Sequence, residues 1–389
     1  MESSAGSNSD SMIPDVDRKT STSAQPDDDV VLSVHNLTTV FRTDRETIYA
    51  VDGIDFDVRR GETVGIVGES GSGKSVTARS IMGLIDAPGE ILPASSIRFN
   101  NDELTDYSDD EYRAIRGDGI GMVFQDPQQS LNPVYTIGNQ IREALAVNQN
   151  IRGEEARRQA IELLEAVAIP DPARRLSEYP HEFSGGMRQR AVIAMMLACD
   201  PEFLICDEPT TALDVTIQAQ ILDLLSEIQQ KRDLSILFIT HDMGVIAQIA
   251  DRVNVVYAGE IVEQAPVERL FQSPQHPYTR GLLDAIPGRR SGDDGLRTIE
   301  GDVPTPNAPA SNCRFAPRCP KAFDECEAVP PQHVSVDDNS THTAACLLYP
   351  AEMEESPRVA KHRRRAETET ETETETETEA DANTGEYHE

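Results

Sequence analysis

Short apolar runs and longer amphipathic stretches take turns along residues 30–260 of the chain. Residues 30–40 and 54–58 alternate between apolar and polar side chains, which is typical of strands with one buried face. Residues 63–67, 203–206 and 236–239 are short apolar runs, which predict strands buried on both faces. Because predicted helices follow or separate these runs, we predict an α/β fold with a parallel sheet covered on both faces.

The pattern divides the chain into four segments. Residues 1–29 are rich in Ser, Asp, Thr and Pro, and residues 351–389 form an acidic tail, so both are predicted to be disordered. Residues 30–260 carry the α/β pattern, with a mostly helical subdomain at about 106–184, and residues 261–350 are rich in Pro and Cys. Glu and Thr alternate over 367–379, which would also suit a strand, but like charges without apolar partners favour disorder.

Acidic residues outnumber basic residues by 68 to 35, which leaves a net charge of -33, and only five of the basic residues are lysines. An acidic, lysine-poor surface suits a salt-rich cytosol, so we predict a halophilic source. The same balance disfavours a nucleic-acid partner. No apolar run is long enough to cross a bilayer, and the N-terminus lacks the apolar core of a signal peptide. We therefore expect a soluble, intracellular protein that is linked to a membrane only through partners.

A glycine-rich loop follows the strand predicted at 63–67. Residues 68–75, Gly-Glu-Ser-Gly-Ser-Gly-Lys-Ser, fit the pattern G-x-x-x-x-G-K-[ST], whose backbone N–H groups and helix N-terminus favour phosphate. We expect Lys74 to reach the β- and γ-phosphates and Ser75 to offer a hydroxyl to Mg²⁺; the alternative is a Gly/Ser turn with a chance lysine. The residues expected to contact the nucleotide here are Gly68, Gly71, Ser72, Gly73, Lys74, Ser75 and Val76.

Two acids follow the apolar strand predicted at 203–206. Asp207, at the strand end, is predicted to hold Mg²⁺, and Glu208 is placed to polarise the water that attacks the γ-phosphate. An apolar run that ends in acids is a weak signal alone, and the glycine-rich loop strengthens it.

A second anion-binding motif lies between these two. Ser184, Gly185 and Gly186 open a predicted helix, whose N-terminus favours an anion; the alternative is a helix N-cap with a flexible lead-in. Together with Gln189 they form S-G-G-x-x-Q. With these motifs in this order, the chain resembles the ATPase subunits of ABC transporters.

The resemblance gives roles to further residues. Gln125 is similar to the Q-loop glutamine, which touches Mg²⁺ and couples to the membrane domain. Asp214 is similar to the D-loop aspartate, and His241 to the switch histidine that contacts the γ-phosphate. Phe41 lies where the family has an aromatic residue that stacks on adenine, and Tyr49 is a neighbouring alternative.

The resemblance also implies the fold and the mechanism. The fold would be a P-loop ABC cassette, with a parallel-sheet core and a helical subdomain. Two ATP molecules would be sandwiched in a dimer, in which the S-G-G-x-x-Q signature contacts the ATP held by the other subunit. The residues implied in catalysis are Lys74, Glu208 and His241, and those implied in Mg²⁺ binding are Ser75, Gln125 and Asp207.

Four segments narrow the resemblance to the oligopeptide/dipeptide permease branch: residues 130–133, 207–220, 276–280 and 313–320. Met187 and residues 193–196 resemble the "D"-type ATPase of that branch. This implies a heterodimer with a second, paralogous ATPase subunit at the cytoplasmic face of the cell membrane. Two transmembrane permease subunits and an extracellular substrate-binding protein would complete the importer. Relatives also carry nickel or sugars, so these are the alternatives to dipeptides and oligopeptides as cargo.

Four of the six cysteines lie in the segment at 261–350, and they are Cys313, Cys319, Cys326 and Cys346. In a reducing cytosol clustered cysteines more often bind metal than form disulfides, but the C-x2-C pairs of zinc sites are absent. A tetrathiolate suits a [4Fe–4S] cluster, which the resemblance to the peptide branch also implies. Zinc, free thiols and disulfides are the alternatives. Cys199 and Cys206 lie in apolar stretches and are expected to be inert.

Two other classes of protein fit the sequence less well. A non-transport ABC ATPase that acts on ribosomes or DNA usually has two cassettes in one chain or long coiled coils, and neither pattern is present. A regulatory module without hydrolysis would lack catalytic residues, whereas Glu208 and His241 are intact. The sequence therefore favours an ATP-hydrolysing transport motor.

Overall fold

The computed structural model describes residues 29–211, 213–286, 299–337, 340–350, 354 and 357–364. The strands are β1 (Val30–Arg42), β2 (Thr47–Arg59), β3 (Thr63–Val67), β4 (Gly89–Ile91), β5 (Ser96–Phe99), β6 (Asp102–Glu103), β7 (Ile120–Val123), β8 (Phe203–Asp207), β9 (Ser235–Thr240), β10 (Arg252–Tyr257), β11 (Glu260–Pro266), β12 (His333–Ser335) and β13 (Thr343–Ala345). The helices are α1 (Lys74–Ile81), α2 (Asp109–Ile115), α3 (Pro127–Ser130), α4 (Ile137–Asn148), α5 (Gly153–Ala166), α6 (Pro172–Arg175), α7 (Gly185–Leu197), α8 (Val215–Arg232), α9 (Met243–Ile249), α10 (Val267–Gln272) and α11 (Pro277–Asp284).

The larger sheet has the strand order β12-β13-β11-β10-β3-β9-β8-β7. Strands β10, β3, β9, β8 and β7 pair in parallel, whereas β11, β13 and β12 add antiparallel pairs at one end. Every residue of β3, β8 and β9 is buried, which explains their continuous apolar runs. The predicted α/β fold with a parallel core is therefore confirmed.

A smaller antiparallel sheet has the order β2-β1-β5-β6, with β4 paired to β1. Its apolar face belongs to the same buried cluster as the parallel core: Leu37 and Phe56 of this sheet join Ile66 of β3 and Ile81 of α1. This shared core fixes the smaller sheet beside the loop between β3 and α1.

One prediction about organisation is wrong, and the structure adds detail to two others. The range 106–184, predicted as mostly helical, also contains β7, which pairs with β8 in the core sheet. At the predicted boundary of 260 the sheet continues, because β11 and β13 extend it into the C-terminal segment. Residues 357–364 form a helix with Val359 and His362 buried, so the prediction of disorder fails there. The rest of both predicted disordered ends lies outside the described residues, apart from residues 29 and 354.

None of the helices in the described ranges is long and apolar enough to cross a membrane.

Candidate nucleotide-binding site

The loop between β3 and α1 has a backbone that only glycine allows at two positions. A Cβ at Gly68 would lie 2.1 Å from the carbonyl oxygen of Val256, and one at Gly73 would lie 2.3 Å from that of Ala50. Gly73 also has a φ of +105°, which side chains disfavour. The predicted phosphate loop therefore packs closely against its neighbours, and a side chain at Gly68 or Gly73 would disturb its shape.

Lys74 lies at the start of α1 and folds back into this loop. Its Nζ donates to the carbonyl oxygens of Gly68 and Glu69, both at 2.9 Å, and the residue is 5% exposed. Burial lowers the pKa of Lys74, while the carboxylates of Glu208, Asp207 and Glu69 act in the opposite direction. The ammonium group is thus held inside the loop where a phosphate would enter.

Two oxygen donors meet beside Lys74. The Ser75 hydroxyl donates to Oδ1 of Asp207 at 2.9 Å, and Asp207, at the end of β8, is 3% exposed. Burial raises the pKa of Asp207, and the hydrogen bond from Ser75 opposes this. A hydroxyl and a carboxylate are ligands that Mg²⁺ accepts, so this pair fits the predicted metal position.

Two residues predicted from separate motifs, Gln125 and His241, converge on the Glu208 carboxylate. Gln125 donates through Nε2 to Glu208 Oε2 at 3.1 Å, and His241 Nδ1 lies 3.2 Å from Glu208 Oε1. Glu208 itself has a φ of +48°, which is uncommon for a residue other than glycine. Thr211, which sequence reasoning missed, donates its hydroxyl to Glu208 Oε2 at 2.9 Å. The sequence could have pointed to Thr211 through its position, three residues after Glu208 on the turn that follows β8.

The Ser-Gly-Gly motif opens α7, as predicted. The Ser184 hydroxyl accepts from the Met187 N–H at 3.3 Å and caps the helix, so the N-cap alternative holds for the chain by itself. Ser184 is exposed and Gly185 is half-buried, whereas Gly186 packs against Ile217. These first two positions leave the helix N-terminus open to a ligand or partner.

Gln189 does not fit its predicted contact with nucleotide. It is 1% exposed within α7, and its Nε2 has no hydrogen-bond partner among the described residues. The motif places Gln189 more than one helical turn from Ser184, on the face of α7 that packs into the core.

The remaining predicted residues have contacts within the chain that do not test their predicted roles. Asp214 caps α8 by accepting from the Ile217 N–H at 3.0 Å. Phe41 is half-buried in β1, and a Cβ at Gly89 would lie 2.8 Å from its ring, so the two are packed together. Tyr49, the alternative aromatic residue, pairs with Val40 across β1 and β2. Val76 is half-buried in the first turn of α1, and the Ser72 side chain is buried beneath the loop.

The four cysteines of the C-terminal segment line one narrow pocket together with His276, as Cys313, Cys319, Cys326 and Cys346. Burial raises the pKa of Cys313 and Cys346 to about 12, which favours their protonated thiols over thiolates at neutral pH. In the described part of the chain, no three His, Cys, Asp or Glu side chains are placed to hold a metal ion. The donor set therefore suits a tetrathiolate site by type but not by its present arrangement.

Comparisons with known proteins agree with this geometry. The family model described as ABC transporter matches residues 51–211, and the model described as oligopeptide/dipeptide transporter, C-terminal region, matches residues 262–326. The oligopeptide transport ATP-binding protein AppD of Bacillus subtilis is 50% identical over 325 residues, which are 84% of this chain and 98% of AppD. The dipeptide transport ATP-binding protein DppD of Bacillus subtilis is 50% identical over 318 residues, covering 82% of this chain and 94% of DppD.

Solved structures show the same fold over about three fifths of the chain. A dimeric, post-hydrolysis structure of the ATP-binding cassette MJ0796, bound to ADP and Pi, superposes with a TM-score of 0.55 at 30% identity. It covers 61% of this chain and 98% of that cassette. The structure of cbiO1 from Clostridium perfringens, part of the ABC transporter complex cbiONQ, also has a TM-score of 0.55, at 29% identity, and covers 63% of this chain and 92% of cbiO1.

Proposed function

The chain belongs to the ABC transporter family of ATP-binding proteins, in its oligopeptide/dipeptide branch, and from this premise we propose that it hydrolyses ATP to power the import of dipeptides and oligopeptides. The observation that carries the proposal is the convergence of Gln125, Thr211 and His241 on the Glu208 carboxylate, beside the loop that holds Lys74. Its relatives are oligopeptide and dipeptide transport ATP-binding proteins, which supports peptides over sugars or nickel as cargo.

The phosphate loop supplies charge and fixed backbone donors to the substrate. Lys74 would exchange its two carbonyl partners for the β- and γ-phosphates of ATP, whose negative charge would favour the ammonium form against the effect of burial. Asp207 and Ser75, already joined at 2.9 Å, would hold Mg²⁺, with Gln125 as a further ligand. The ion would neutralise charge on the phosphates, and it would favour the ionised form of Asp207 against the effect of burial.

Glu208 would orient the attacking water. Phosphoryl transfer needs little covalent help, so positioning and charge dominate the rate. The side chain of Glu208 is 12% exposed and held by two neutral donors, which fixes the direction of the carboxylate. His241, with a side chain 55% exposed, is free to leave Glu208 and contact the γ-phosphate.

The exposed motifs support an assembly. Ser184 and Asp214 are exposed at helix N-termini, where the signature and D-loop would meet a second, paralogous ATPase subunit. After the Gln125 loop, Val134 and Tyr135 are 71% and 51% exposed, an apolar surface suited to one of two permease subunits. The complex would sit at the cytoplasmic face of the membrane, receive cargo from an extracellular binding protein and have no nucleic-acid partner. Residues 30–260 would form the ATPase unit and 261–350 its extension.

Substitution of Glu208 tests the catalytic assignment. In the assembled transporter, Glu208→Gln keeps the shape and one acceptor oxygen but replaces the other oxygen with an NH2 donor and removes the negative charge, so ATP turnover should fall at least about 100-fold. ATP binding should persist. The matched control is Glu227→Gln, an exposed carboxylate on α8 paired with Lys231, which should turn over ATP like the wild type. Equal turnover in all three proteins would overturn the assignment.

A [4Fe–4S] cluster is a finer proposal, supported by four cysteines around one pocket and opposed by their present arrangement. The full-length chain would be incubated anaerobically with ferrous iron and sulfide, and its visible absorbance and iron content measured. Cys319→Ser should abolish iron uptake, while Cys199→Ser, in the core, should not. Uptake that does not depend on Cys319 would contradict a cluster at these cysteines.

A halophilic source is a further proposal, supported by the net charge of -33. Salt would screen the repulsion between acidic groups, so the free energy of unfolding should rise as KCl is raised from about 0.1 M to about 2 M. Urea unfolding measures it, and a free energy that is flat or falls would contradict the proposal.

A further inference from the structure

The C-terminal segment reaches the phosphate loop through residues 313–319, here called the arch. The side chain of Arg318 is 7% exposed and forms a two-pronged ion pair with Glu69, the second residue of the phosphate loop. Nη1 lies 3.1 Å from Oε1 and Nη2 lies 3.0 Å from Oε2. Such parallel N–H···O contacts fix both the charge and the direction of a carboxylate.

Arg318 is itself locked in place. Its guanidinium donates to the carbonyl oxygens of Glu300 and Gly301, both at 2.9 Å, and lies over the Tyr257 ring. The arch therefore presents Arg318 to Glu69 as a fixed group, with little rotamer freedom left to lose when the pair forms.

Glu69 is also held through its backbone. Its N–H donates to the hydroxyl of Tyr278 on α11 at 2.9 Å, and its carbonyl oxygen accepts from Lys74 Nζ at 2.9 Å. Tyr278 is fully buried and packs against Phe315 of the arch, with ring centroids 5.4 Å apart. The C-terminal segment thus grips this residue of the phosphate loop by both side chain and backbone.

The contact between Arg318 and Glu69 changes the charge that the phosphate loop presents to its substrate. The loop would receive a polyphosphate, and Glu69 places a carboxylate within that loop, where it disfavours a second anion. Arg318 cancels that charge and turns the carboxylate toward the arch. A second arginine of the arch, Arg314, ion-pairs with Asp52 and donates to the Ala258 carbonyl oxygen at 2.7 Å.

We propose that Arg318 is a positioning residue for ATP binding, which neutralises and orients Glu69 so that the phosphate loop accepts the β- and γ-phosphates. This inference rests on the proposed ATPase function. If Arg318 has this role, the C-terminal segment contributes to nucleotide binding, and ATP affinity depends on the fold of the arch.

The test measures the Kd of the full-length chain for Mg²⁺-ATP by equilibrium dialysis, and KM and kcat for ATP in the assembled transporter. Arg318→Ala should raise Kd and KM about tenfold, since a hydrogen-bonded charge pair is lost, while kcat changes little. Arg318→Lys, which keeps the charge but not the fork, should raise Kd less.

A second substitution shows whether the rise in Kd comes from the uncompensated charge of Glu69 or from a less stable fold. In the Arg318→Ala background, Glu69→Gln removes the uncompensated charge and should bring Kd back to within about threefold of the wild-type value. Arg280→Ala is the matched control, because Arg280 donates to the Pro274 carbonyl oxygen and to Tyr349 within the C-terminal segment. It should leave Kd unchanged.

The outcomes distinguish the inference from the function beneath it. A wild-type Kd in Arg318→Ala, or a loss that Glu69→Gln does not rescue, would overturn the inference while leaving the ATPase assignment intact. Absence of ATP hydrolysis by the wild-type transporter would instead overturn the proposed function. If Arg318→Ala does not fold, Arg318→Lys with and without Glu69→Gln gives the same comparison.

Discussion

Acidification should loosen the contact between the C-terminal segment and the phosphate loop through one buried histidine. His276 is 1% exposed and caps α11, where its Nδ1 accepts the N–H of Tyr278 at 3.1 Å. Because Nδ1 accepts a hydrogen bond, the ring is neutral, and protonation would break the cap that positions Tyr278 against Glu69.

The pKa of His276 gives the size of the effect. The pKa falls from 6.5 to about 4, chiefly because burial lowers it; Glu263 opposes this, and His333 and Arg280 add to it. The unfolded chain therefore takes up the proton first, so the stabilising contribution is present above about pH 6.5 and is lost as pH falls toward 4. A difference of about 2.5 pKa units between the folded and unfolded chain corresponds to about 3 kcal/mol in the free energy of unfolding. About 2 kcal/mol of this is lost by pH 5.

Urea unfolding of the full-length chain, followed by circular dichroism, would measure this at pH 7.5 and pH 5.0. His276→Asn keeps a side-chain oxygen to cap α11 but does not titrate. Between pH 7.5 and pH 5.0 the free energy of unfolding should fall by about 2 kcal/mol more in the wild type than in this variant. His35→Asn, at a histidine whose side chain is 63% exposed, is the control and should behave as the wild type. Equal losses in the wild type and His276→Asn would refute the reasoning.

Two further substitutions test the loop and the signature. Gly73→Ala should weaken ATP binding at least about tenfold, because its Cβ would meet the Ala50 carbonyl oxygen at a φ of +105°. Gly153→Ala, at a φ of +67° with open space around it, is the control for backbone strain, and equal ATP binding by the two variants in equilibrium dialysis would count against the loop geometry. Ser184→Asn keeps the cap on α7 and should leave the stability of the fold unchanged. Ser184→Ala removes the cap and should lower the free energy of unfolding by about 1 kcal/mol. Both should lower ATP turnover in the assembled transporter if Ser184 contacts the partner's ATP, and normal turnover in both would contradict the sandwich.

The catalytic centre was predictable because its residues sit at the carboxyl ends of neighbouring parallel strands. Lys74 and Ser75 follow β3, Asp207 and Glu208 end or follow β8, and His241 follows β9. These ends meet at one edge of the sheet, so short local patterns report a shared site.

Long-range contacts were not predictable in the same way. The four residues of β7 lie between helices, and only their pairing with β8 makes them a strand. Arg318 and Glu69 are 249 residues apart, and no local pattern relates them. Gln189 matches its motif, yet the packing of α7 turns it into the core. In each case tertiary contacts, rather than local sequence, decide the outcome.

Uptake by cells with and without this gene tests the central claim most directly. Labelled dipeptides and oligopeptides would be supplied, with a sugar and nickel as parallel cargoes. Loss of the gene should abolish peptide uptake, and the wild type and Lys231→Ala, at an exposed lysine, should restore it, whereas Lys74→Ala should not. Unchanged peptide uptake without the gene, or full rescue by Lys74→Ala, would contradict the account of this chain as the motor of a peptide importer.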